Sequence, residues 1–233
     1  MTINLIQERY IMQWLSIDPM SDKNASTSPY MYCAGNPIKY KDLYGMDTIM
    51  FNRYGYFGKP IPDNSDEDTY VRVSNKEFNA NKIKYKKNGG LRWYHGTLTI
   101  GKNELVKKES DYGDMYYDAG KDKNKASKIF RFFVNNTDVE WSHSIWNDDN
   151  NELLNAISTN HDAKEVDFPR LNKIPVHFFH SHPDGGQMSD QDVEILNRMM
   201  KINPNFVSTI YKGGYFTDYD VNKKEFNKRI KPW

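Results

Sequence analysis

Cys33 is the only cysteine in 233 residues. An intramolecular disulfide is therefore impossible, and so is a structural zinc site of the multi-cysteine kind. Any metal in this chain must be held by His, Asp or Glu. An excess of charge is also lacking: 32 basic residues against 31 acidic ones leave a formal net charge of +1. Such a balance gives no global field for drawing in nucleic acid or an anionic membrane. Long apolar runs are missing too. The opening MTINLIQERYIMQWLSIDPM is interrupted by Glu8 and Arg9, which predicts neither a signal peptide nor a membrane span. No glycine-rich loop carries the lysine and helix context of a phosphate site, and no serine sits in a recognisable nucleophile turn.

What is present is aromatic residues, 14% of a chain whose hydrophobic content is 38%. That composition suits a globular protein with β structure and large polar loops rather than a disordered one. The length allows one sizeable domain and an appendage. Residues 9–46 are dense in turn signals, with Asp18-Pro19, Ser28-Pro29, Asn36-Pro37 and Tyr44-Gly45, and have too few periodic apolar positions to form a core. RYIMQWLSIDPM and SPYMYCAGNPIKYKDLYGMD within them resemble the end of an RHS/YD-repeat core. That resemblance makes residues 1–46 a core remnant and 47–233 the folded domain. It also implies a self-cleaving aspartate pair, Asp18 and Asp42, with release near Gly45 and Met46, although DLYG stands where the family has DPDG.

Beyond Asp47, DTIMFNRYGYFG, TYVRVS and LRWYHGTLTI read as strands. GKDKNKASKIFRFFVNNT carries Ile129, Phe130, Phe133 and Val134 at helical spacing and ends at Asn135-Asn136. VEWSHSIW and IPVHFFH read as strands, SDQDVEILNRMMK as a helix, and FVSTIYKGGYFTDYDV as a hairpin turning at Gly213-Gly214. From the helix onward, helix, strand, strand, helix, strand, strand predicts an α/β (α+β) fold.

One stretch concentrates the chemistry: VHFFHSHPDGGQMSDQDVEIL, Val176 to Leu196. Strand alternation sends His180 and His182 to one face, and Pro183 ends the ladder. Gly185-Gly186 allows a sharp turn, and Ser189 opens a helix with Asp192 in its first turn. Ser-x-x-Asp alone reads as a capping box. In this setting, His180, His182 and Asp192 can converge on one ion and leave a fourth position open, as a catalytic zinc requires. His-Ser-His-Pro followed by Ser-x-x-Asp resembles the signature of the JAB/JAMM (MPN+) metallopeptidases, here of the kind found as toxins at the C-termini of RHS proteins. Nine residues separate His182 from Asp192, against about ten in the family, the shortening falling in the glycine turn.

The resemblance implies a JAB/MPN-like mixed sheet flanked by helices. It also implies Zn²⁺ as cofactor and a glutamate base where a helix passes into a strand. Glu140, Glu152 and Glu165 are the candidates, and Glu140 occupies the family's position. His143 stands where the family often has glycine. Ser189 would assist the oxyanion. Implied further are a protein or isopeptide substrate, with ubiquitin-like tails among the candidates, a cognate immunity protein, and export with an RHS-type toxin to a target cell. No nucleic-acid partner is expected. The alternatives are a metal-dependent nuclease toxin and a non-catalytic MPN-type scaffold. His161 and His177 are candidates only for places behind the ligands, His177 having the wrong parity to join His182, and His95 has no partner in the sequence.

Overall fold

The computed structural model describes residues 47–61, 67–87, 91–92, 96–148, 150–183, 189–220 and 225–228. Asp18, Asp42, Gly45, Met46, His95, Gly185 and Gly186 lie outside the described residues, as does the whole of the expected core remnant. A three-stranded sheet comprises β1 (Asp47–Phe51), β2 (Glu67–Arg72) and β3 (Thr97–Gly101) in that order, with the short helix α1 (Asn75–Asn79) following β2. β1 and β2 run parallel, β2 and β3 antiparallel.

The second sheet carries the chemistry. Its strands are β4 (Val106–Glu109), β5 (Met115–Asp118), β6 (Ser142–Asn147), β7 (Leu153–Ser158), β8 (Ile174–Ser181), β9 (Val207–Lys212), β10 (Tyr215–Asp220) and β11 (Glu225–Lys228). They are ordered β11-β10-β9-β8-β6-β7-β5-β4. Helix α2 (Lys123–Asn136) precedes β6, and α3 (Asp190–Ile202) joins β8 to β9. Only a parallel partner needs such a crossover, and β8 with β9 is the one parallel pair of this sheet among the described residues.

Period 2 divides the central strands between two cores. Ile145, Ile157 and Phe179 face α2, which contributes Ile129, Phe130 and Phe133, all fully buried. Trp146, Ala156 and Phe178 face the other way, onto Ile195, Leu196 and Met199 of α3. The mixed sheet with a helix on either side is the expected class. Asp122 starts α2 by accepting from the backbone N–H groups of Asn124 and Lys125. The Asn136 amide, donating to the Phe132 carbonyl at 2.8 Å, helps end it.

Several elements depart from the sequence reading. Residues 153–158, to which the sequence reading assigns no element, form β7 inside the sheet. Asn155 sits mid-strand, fully buried, with its Oδ1 3.0 Å from His143 Nε2. A polar residue satisfied in the core breaks the apolar alternation by which strands are recognised. β4 is exposed along its whole length and reads VKKE; lysines on a sheet edge discourage pairing with another chain and leave no periodicity. α1 and β11 were equally without a pattern. β1 stops at Phe51 rather than running to Gly58, because Asn52 Oδ1 accepts from Tyr54 N at 2.9 Å and Tyr56 N at 3.2 Å and turns the chain.

Candidate metal centre

β8 delivers two imidazoles to the α3 face of the sheet. His180 is completely buried and His182 nearly so, with ring centroids 4.9 Å apart. Ser189 is the N-cap of α3, and the capping box is present. Its Oγ accepts from Asp192 N at 3.2 Å, while Asp192 Oδ2 accepts from Ser189 N at 2.7 Å and from Ser189 Oγ at 2.8 Å. The cap and the cluster are not alternatives. The same carboxylate places Oδ1 3.3 Å from His180 Nε2 and Oδ2 3.7 Å from His182 Nε2. One ligand atom from each of the three residues falls within 4.8 Å of the others.

Burial by itself raises the Asp192 carboxyl, but the His180 imidazole and the Ser189 hydroxyl and backbone N–H outweigh it. Together they hold the group at about 2. A carboxylate ionised across the neutral range is what a cation site needs. His180 supplies the complementary observation. Both of its ring nitrogens are buried without a well-formed hydrogen bond, although Nε2 lies 3.3 Å from Asp192 Oδ1. A buried polar atom left so costs about 1–3 kcal/mol, and coordination of Nε2 to an ion shared with Asp192 would satisfy it. Two imidazoles and a carboxylate fit a first-row divalent cation.

Glu140 precedes β6 and is 4% exposed. β6 and β8 pair Ser142 with His180. The ladder continues one residue further, where Ser181 N donates to the Trp141 carbonyl at 3.0 Å and Trp141 N donates to Ser181 Oγ at 2.9 Å. The next step of this register sets Glu140 opposite His182, and directly opposed residues share a face. Glu152 is exposed and ion-paired with Lys121. Glu165 is also exposed and accepts from Gln191 Nε2 at 3.1 Å, beside Asp192. Of the three glutamates, Glu140 alone is buried.

A cleft of about 470 Å³ reaches His182 and Pro183, between the end of α2 (Asn135, Thr137) and the β9–β10 hairpin (Tyr211, Lys212). A hollow of about 540 Å³ around Asn147 and Ile174 lies at the other end of β6 and β8. It borders none of these residues. His177 faces the α2 side with Nε2 2.7 Å from Thr209 Oγ1, and His161 stacks on Tyr56. Sequence reasoning passed over Ser181 and Thr159, whose hydroxyls bind the backbone on either side of Glu140's peptide group. Ser181 was at least visible as the small polar residue between the histidines. Thr159 gave no signal, being 19 residues from its partner.

Searches of curated proteins and of solved structures return no match. The family model of JAB-like toxin 1 matches residues 119–197, about a third of the chain, running from just before α2 into α3 and taking in Glu140, His180, His182, Ser189 and Asp192. The match supports a JAB-like toxin domain in this chain.

Proposed function

We propose that this chain is a zinc-dependent peptidase or isopeptidase of the JAMM type, acting as the toxin tip of an RHS polymorphic toxin. In this reading residues 1–46 are the end of the RHS core and 47–233 the toxin domain. The convergence of His180, His182 and Asp192, with His180 Nε2 buried against the Asp192 carboxylate and lacking a well-formed hydrogen bond, carries the reading. These three would hold Zn²⁺, which when bound supplies Lewis acidity toward a scissile carbonyl. Glu140 would take the proton of the attacking water and return it to the departing amine. The Ser189 hydroxyl, which here donates to Asp192, would turn toward the developing oxyanion. The cleft beside His182 admits the substrate, a protein or isopeptide-linked chain with ubiquitin-like tails among the candidates. A cognate immunity protein and delivery into a target cell follow from the toxin assignment.

The test combines metal analysis with digestion of a target-cell proteome. The purified chain should carry about one zinc per molecule, since three ligands and an open position bind one ion. Glu140→Gln should fold and keep the metal, yet cleave its substrates roughly 10²–10⁴-fold more slowly, the usual share of general acid–base catalysis. Ser189→Ala should lose less, about 10–10³-fold. Degradation of plasmid DNA with no proteolysis would replace this reading with a nuclease; absence of any bound metal would replace it with a scaffold.

A further inference from the structure

The Glu140 peptide is held from both sides by a single turn. Glu140 N donates to the Asp162 carbonyl at 2.7 Å, and Thr159 Oγ1 donates to the Glu140 carbonyl at 2.7 Å. The same hydroxyl accepts from His161 N at 3.0 Å, which closes the turn on itself. At its apex His161 has φ +61, the left-handed region that a residue with a Cβ enters at a cost and keeps only when its surroundings demand it.

Those surroundings come from the segment after β1. His161 Nδ1 donates to the Tyr54 carbonyl at 2.8 Å, and its ring lies flat on Tyr56, centroids 3.9 Å apart and 16° from parallel. Between the two tyrosines, Gly55 has φ +74 and sits so close that a Cβ there would meet Trp141 Cζ2 at 3.0 Å and His161 Nδ1 at 3.4 Å. The contacts form an unbroken chain. Tyr54 and Tyr56 hold His161, His161 holds the turn from Thr159 to Asp162, and the turn holds Glu140. Trp141 then joins Ser181, between the two histidines of the metal centre.

From this geometry we propose that His161 is a positioning residue, whose clasp on Tyr54 and Tyr56 sets where the Glu140 carboxylate stands relative to His180, His182 and Asp192. The inference rests on the metallopeptidase reading, in which Glu140 acts beside the ion. A histidine that served packing alone would affect stability and nothing at the metal. One that positions Glu140 must alter how the metal centre responds to pH, because a carboxylate beside the ion tunes the proton affinity of whatever occupies its open position.

The test is the pH titration of the visible absorption of the full chain loaded with Co²⁺ in place of zinc. Glu140→Gln should move the midpoint by about half a pH unit or more. His161→Ala should move it in the same direction, and so should Tyr56→Ala, which loosens the clasp from its exposed side and spares the core. His161→Gly separates the ring from the backbone: it takes up φ +61 freely, so it should be more stable than His161→Ala and shift the midpoint equally. In the Glu140→Gln background none of these should add a further shift. If Glu140→Gln moves the midpoint while His161→Ala and Tyr56→Ala only lower the melting temperature, the positioning role is wrong and the metallopeptidase reading stands. If Glu140→Gln leaves the midpoint in place, or the chain takes up no cobalt, the reading itself fails and the positioning role goes with it.

Discussion

Asp192 has two jobs, and two substitutions can separate them. As the third residue of α3 its carboxylate closes the capping box with Ser189; as a neighbour of His180 and His182 it completes the donor set. Asp192→Asn keeps an oxygen for the Ser189 N–H but removes the anionic ligand. Metal affinity should fall by at least ~100-fold, since losing even a partner behind a ligand costs about 10–100-fold. Ser189→Ala should weigh more on the fold, costing about 1 kcal/mol of stability through the lost cap and lowering affinity by about tenfold, the lower end of what a lost partner behind a ligand costs. Calorimetric zinc binding and thermal melts of the metal-free variants read the two effects independently. These residues were legible in the sequence because their arrangement is local: strand parity aims His180 and His182 together, and a helix cap fixes Asp192 against Ser189. Thr159 and Asp162 were not, and the contacts of His161 were not, because each meets its partner across loops whose path no periodicity encodes.

Among the elements, β6 shows how a strand can be legible while its polar content is not. Its apolar residues marked it as extended, yet His143 is completely buried at its centre, stacked on Phe179 at 5.2 Å, and gives no outward sign of how it is satisfied. For Nε2 the answer lies in β7; Nδ1 is buried without a hydrogen bond. Asn155 Nδ2 donates to the Gly120 carbonyl at 2.8 Å, which leaves its Oδ1 to accept the His143 Nε2 proton. A polar pair split between two strands hid β7 from pattern reading, and the same pair governs stability in acid. Burial lowers the His143 imidazole from 6.5 to about 4 against the opposing pull of Asn155. Between those values the unfolded chain binds a proton that the native one refuses. The contribution of His143 is therefore present in full above pH 6.5 and is lost as pH falls toward about 4, a swing of about 3 kcal/mol. His143→Gln retains a donor for Asn155 without a titrating ring. Its urea midpoint should change less between pH 7.5 and 5 than that of the parent, and equal slopes would show that other groups govern acid unfolding.

For the molecule as a whole, Met46–Trp233 makes one compact unit, and the two cores on either face of its larger sheet draw every strand and helix that reaches the candidate metal centre from within it. Residues 47–233 are accordingly expected to fold and bind metal after removal of residues 1–46; loss of a cooperative thermal transition on truncation would show that the first segment completes the core. The strand order carries a different consequence, one of timing. β8 is flanked by β6 and β9, and reaches β9 in parallel only by way of α3. His180, His182 and Asp192 lie within one short stretch around this crossover, whereas Glu140 comes opposite His182 only when β6 pairs with β8, and contacts distant in sequence are the slow ones to form. Until then the chain can present its donor set to an ion, but not the buried glutamate beside it. In a stopped-flow refolding experiment, zinc capture should precede full recovery of the tryptophan fluorescence, to which Trp141 and Trp146 contribute as β6 is buried. On the proposed reading, a site assembled in that order holds its metal before its base, and becomes competent only at the last step.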